Sequence, residues 1–68
     1  MNPILIIVNG EKRETTASSL NVLLEELSLP LSTVLVEQNG VALHHHEIKA
    51  ACLSAGDRIE ILKIVAGG

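Results

Sequence analysis

The sequence predicts an α+β fold, a mixed sheet of four to five strands with one helix packed across one face. Three observations carry that reading. Two Asn-Gly pairs, Asn9-Gly10 and Asn39-Gly40, each follow a strand-like run rich in branched apolar residues. One segment between them places leucines at helical spacing, and an alternating apolar segment follows Gly56-Asp57.

Ile4 to Val8 is an unbroken run of Ile, Leu and Val, residues that suit a pleated surface. Asn9-Gly10 then supplies the two positive-φ positions of a tight hairpin turn, so the chain folds back along Glu11 to Thr16. That second strand carries Glu11, Lys12, Arg13 and Glu14, a composition suited to a solvent-washed sheet edge, where charge discourages pairing with another molecule. Ser18 and Ser19 offer side-chain oxygens to cap a helix whose Leu20, Leu23, Leu24 and Leu27 fall at i, i+3, i+4 and i+7. The helix is expected to run about three turns and to end at Pro30, which pushes the residue before it out of helical geometry.

Thr33 to Gln38 reads as a third strand, and Asn39-Gly40 returns it through Val41, Ala42 and Leu43. Residues 44–55 read as an irregular connection with a helical turn around Glu47 to Ala51. The last strand is expected over Arg58 to Val65, where Ile59 and Ile61 alternate with Glu60. A hairpin, a crossover helix and further strands, in that order, pair the first and last strands in parallel at the centre of the sheet. This is the β-grasp arrangement. The body then covers residues 1–65, and residues 66–68 form a flexible tail.

With 68 residues the chain makes one domain, which buries roughly 60% of its unfolded surface and has no depth for an internal catalytic pocket. Hydrophobic residues at 47% are too many for disorder, and polar residues interrupt them too often for a membrane span. No signal-peptide pattern is present, and a single cysteine forms no internal disulfide, so a cytoplasmic setting is expected. A net charge of -3 without any aromatic residue removes both the basic footprint and the stacking platform of a nucleic-acid binder. Proteins with complementary basic surfaces are the expected partners.

If Ile6, Val8, Ile59 and Ile61 face the helix, strand period places Leu5, Ile7, Leu62 and Ile64 on the opposite side, where no second layer remains to cover them. Scattered surface apolarity is one explanation; a docking patch for a partner protein is the other, and it is the one expected here. The chain has no phosphate loop, no cysteine pair and no nucleophile beside a base, so attention moves to its end. Val65, Ala66, Gly67 and Gly68 form a slim, extensible tail that reaches about 13 Å when extended, enough to enter a narrow channel in another protein. The Gly68 α-carboxylate is the most accessible reactive group. A free carboxylate is a poor electrophile until a partner converts it to a mixed anhydride, and glycine leaves no side chain to obstruct attack.

Together, Val8-Asn9-Gly10, the leucine-faced helix, Val36-Glu37-Gln38-Asn39-Gly40, Gly56-Asp57 with Arg58-Ile59-Glu60-Ile61, and the ending Val65-Ala66-Gly67-Gly68 span nearly the whole chain. In these features the sequence resembles the ubiquitin-like β-grasp sulfur carriers of thiamin biosynthesis. The resemblance implies that Gly68 is adenylated by an E1-like adenylyltransferase of the ThiF type, which uses ATP and Mg²⁺. Sulfur from a cysteine desulfurase or another donor then makes a thiocarboxylate, which is delivered to a thiazole synthase of the ThiG type. By that analogy the chain is a protein co-substrate without catalytic residues, bound cofactor or metal. The Gly-Gly end is shared with the molybdopterin-synthase type of carrier, and a β-grasp interaction module with an inert tail and a conjugated protein modifier remain alternatives.

Relatives often place a proline and a basic residue soon after the second turn, where this chain has His44, His45 and His46. Three readings stand: solvated surface, a partner contact made pH-sensitive by imidazole, and a metal site, which would need further ligands in tetrahedral arrangement. Cys52, between Ala51 and Leu53, is expected to be a small buried hydrophobe and not a sulfur relay.

Overall fold

Positive φ at Asn9 (49°) and Gly10 (82°) closes the first hairpin in the computed structural model, which describes residues 2–65. Strand β1 (Ile4–Val8) pairs antiparallel with β2 (Glu11–Thr15), from Ile4 opposite Thr15 to Val8 opposite Glu11. Helix α1 (Leu20–Glu26) follows, then a 3₁₀ turn (Leu31–Thr33) and β3 (Val34–Gln38). The second turn repeats the first, with φ of 53° at Asn39 and 85° at Gly40, and leads into β4 (Val41–Leu43). A short helix α2 (His45–Ala50) and β5 (Arg58–Lys63) complete the chain's elements. The sheet order is β2-β1-β5-β3-β4. Strand β5 lies parallel to β1 and antiparallel to β3, so the first and last strands meet at the centre and the charged β2 is an edge, as the sequence predicts.

The serine cap is Ser19, whose Oγ accepts from the Val22 N–H at 3.2 Å. The far end of α1 departs from expectation: the helix has seven residues and stops at Glu26, before Pro30 can act. Ser28 takes φ of 57°, its N–H donates to the Glu25 carbonyl, and the Leu29 N–H donates to the Leu24 carbonyl. That pair of bonds is a Schellman turn, with serine where glycine is usual. Leu29 thereby returns to the core instead of continuing outward.

Ile6, Leu20, Leu23, Val34, Ile48 and Ile59 have no exposed surface, and Leu24, Val36 and Ile61 are also buried. They fill the single layer between α1 and one face of the sheet. Thr15 is the buried polar residue. Its hydroxyl donates to the Glu26 carboxylate (2.9 Å) and accepts from the Ala17 N–H (3.0 Å), fastening the edge strand to the helix.

Residues 44–55 are more ordered than the sequence suggests. Helix α2 starts at His45, ahead of the expected turn, because the Glu47 carboxylate accepts the His44 N–H at 2.8 Å and Ile48 is drawn into the core. The fold therefore has a second, short helix packed beside α1. Cys52 corrects another expectation, for it is exposed. It pairs as an isolated antiparallel bridge with Ser19, and in that extended stretch Ala51 and Leu53 turn to the core while Cys52 turns out. Strand β5 ends at Lys63 and not at Val65, because β3 begins at Val34, opposite Lys63; beyond it the Ile64 N–H donates to the Thr33 carbonyl at 2.7 Å.

Candidate functional site

The helices cover one face of the sheet; the other is bare. On it Leu5 is 47% exposed, Leu62 66% and Ile64 48%, with Ile7 half-buried, so all four of the sequence-assigned patch residues share the bare face. They do not form one cluster: Ile7 stands opposite Arg58 in the parallel β1–β5 register, which places Leu5 and Ile7 toward one end of the face and Leu62 and Ile64 toward the other. The sequence reading missed Leu35, which is 57% exposed and lies directly opposite Leu62 in the β3–β5 register. Its signal was present: with Val34 and Val36 inside, strand period sends Leu35 outward. Glu37 and Glu60 adjoin the Leu35–Leu62 pair. Ala42 and Leu43 extend it into a shallow groove.

The end of β5 runs from this patch toward the chain's terminus. Val65 is 84% exposed, and Ala66, Gly67 and Gly68 lie outside the described residues. The strand that presents them is held by both Asn-Gly turns. The Asn39 side-chain oxygen accepts the Arg58 N–H at 2.8 Å, and its amide donates to Asp57 at 3.0 Å. Asp57 also accepts from the Ser54 N–H (2.9 Å) and from Gln38 (3.1 Å). Burial on its own would push the Asp57 carboxyl up; the bonds from Asn39, Ser54 and Gln38 together outweigh it and hold the group below its ordinary value. The second turn, β5 and the Gly56-Asp57 corner are thus one hydrogen-bonded unit.

The histidines are not part of that face. Helix α2 lies on the covered side, where His45 and His46 border Asn21, Leu31 and Ser32. The His44 and His46 rings stack at 5.7 Å and 7°. Among the described residues no group of three His, Cys, Asp or Glu side chains is placed to hold a metal, and no helix is long and apolar enough to cross a membrane.

The sequence profile of the ThiS family matches residues 6–68, from the core isoleucine of β1 through both terminal glycines. The chain belongs to the ThiS family. A crystal structure of the thiamine biosynthesis protein ThiS from Geobacter metallireducens superposes with a TM-score of 0.80, covering 96% of this chain and all of that one at 28% identity. The ubiquitin-like β-grasp fold is therefore the fold of a ThiS relative as well as the one the topology describes. No curated protein sequence matches the chain at a significant level. Membership of the ThiS family sets the chain with the small sulfur carriers of thiamine biosynthesis.

Proposed function

We propose that this chain is a sulfur carrier whose reactive group is the α-carboxylate of Gly68. The observation that carries the reading is the family match running unbroken through Gly67 and Gly68, behind a strand that leads off a bare apolar sheet face. In the proposed sequence an E1-like adenylyltransferase binds ATP and Mg²⁺, and the carboxylate oxygen attacks the α-phosphorus. Pyrophosphate leaves and an acyl adenylate forms. The persulfide sulfur formed by a cysteine desulfurase then attacks the acyl carbon and displaces AMP, and a second thiol attacks the resulting acyl disulfide, releasing the thiocarboxylate and leaving a disulfide on the donor side; with sulfide as the donor the thiocarboxylate forms directly. Thiazole synthase receives that sulfur. The chain contributes no acid, base or metal; it contributes an acyl carbon without a side chain beside it.

Leu35, Leu62 and Ile64 at one end of the bare face, with Leu5 and Ile7 toward the other, are the apolar residues that partners read, and Val65, Ala66 and Gly67 are the slim segment that enters their channels. Because β5 carries Leu62 as well as the approach to Gly68, docking around Leu62 fixes where the terminus is delivered. Deleting Gly68 tests the reading. The shortened protein should fold as before and fail to restore growth of a thiamin-requiring strain lacking its own carrier; full restoration would contradict the assignment.

A further inference from the structure

Glu37 on β3 and Glu60 on β5 are direct cross-strand partners on the bare face, next in register to the Leu35–Leu62 pair, and both are exposed. Side chains so placed have Cβ atoms about 4.5–5.5 Å apart, and like charges there weaken a sheet. Neither forms an ion pair in the free domain, although Arg58 shares their face two residues before Glu60: the sole ion pair among the described residues is Arg13–Glu26, between the edge strand and the helix. Beside the two carboxylates lies the groove floored by Leu35, Ala42 and Leu62. An apolar floor with two anions at its rim, neither in an ion pair, is poorly matched to water and well matched to one kind of side chain.

We infer that this groove receives an arginine from a protein partner, its methylene stem on Leu35, Ala42 and Leu62 and its guanidinium between Glu37 and Glu60. The inference rests on the docking reading of the sheet face and adds what the partner must bring to it. A guanidinium is planar, weakly hydrated and able to bond two carboxylates at once, whereas an ammonium is compact and strongly hydrated. The long stem covers apolar surface while the charged head stays at the rim. The phosphates of a nucleic acid or an anionic membrane would meet the wrong sign of charge. The repulsion between Glu37 and Glu60 falls when the partner's guanidinium is seated between them, so the pair favours the docked state specifically.

Glu37→Gln, Glu60→Gln, the double variant and Leu62→Asp are titrated calorimetrically against the adenylyltransferase and the thiazole synthase of the same organism, at low and moderate salt. Each single glutamine variant should weaken one of the two complexes about tenfold and flatten its salt dependence. The double variant should lose less than the product of the single losses, because one guanidinium bridges both groups. The free single variants should melt at or above the parent temperature. Binding that ignores both glutamates while Leu62→Asp abolishes it would overturn the arginine subsite and leave the docking face standing. A parent protein that binds neither enzyme would overturn the docking reading itself. A concentration-dependent dimer, lost in the glutamine variants, would assign the groove to a second copy and also overturn the inference.

Discussion

Asn9 and Ile61, 52 positions apart, are joined as though they were neighbours in a ladder: the Asn9 side-chain oxygen accepts the Ile61 N–H at 2.7 Å and its amide donates to the Ile61 carbonyl at 3.2 Å. The backbone of β1 turns away after Val8, and the asparagine side chain carries its pairing with β5 further along. Asn9 therefore does two jobs, supplying positive φ for the turn and completing the central parallel pair.

Glycine at position 9 separates those jobs, since it accepts the turn geometry and cannot make either bond. Asn9→Gly should destabilise the domain by about 2 kcal/mol, the loss of two part-buried hydrogen bonds, as read by urea denaturation. An unchanged midpoint would show that the turn alone was being served.

Ser28 ends α1 with a left-handed backbone that an L side chain adopts at some expense. Ser28→Gly should leave stability equal or raise it by up to about 1 kcal/mol, while Ser28→Val should lower it by about 1–2 kcal/mol, the order set by thermal melts of the three proteins.

Asp57 makes the domain acid-sensitive in a definite direction. Its folded value lies below the ordinary 3.8, so its contribution is complete above that value and is lost as the pH falls through the lower folded value. Asp57→Asn should be less stable than the parent at neutral pH, and the gap should narrow below about pH 4 as the parent's carboxylate protonates. A constant gap across the acid range would contradict the network drawn around Asp57.

Much of this molecule was legible before its structure. Both Asn-Gly turns, the charged edge strand, the parallel central pair and four residues of the bare face follow from turn chemistry and period-two alternation. What escaped is tertiary in origin. Nothing local distinguishes Ser28 as a helix terminator; its left-handed turn is selected because Leu29 then packs on the core. Three histidines masked a helix start that Glu47 and Ile48 define. Cys52 has a buried residue's composition and an outward side chain, because its bridge to Ser19 sets the parity of the segment. The turn asparagines were read as turn formers only, since a bond across 52 positions leaves no mark on either neighbourhood.

The exposed sheet face should tolerate charge without unfolding. Leu62→Asp and Leu35→Asp change side chains that are 66% and 57% exposed, so melting temperatures should stay close to the parent, while affinity for the adenylyltransferase or the thiazole synthase should fall at least about tenfold. Parent-like affinity for both enzymes, with the fold intact, would return those leucines to incidental surface.

The central claim is that Gly68 is loaded with sulfur. Intact mass spectrometry of the carrier after incubation with the adenylyltransferase, ATP, Mg²⁺ and a sulfide source should show the exchange of one oxygen for one sulfur, confined to a peptide containing Gly67 and Gly68 and absent when ATP is omitted. A mass that never changes, or a gain that maps to Cys52 instead, would contradict it.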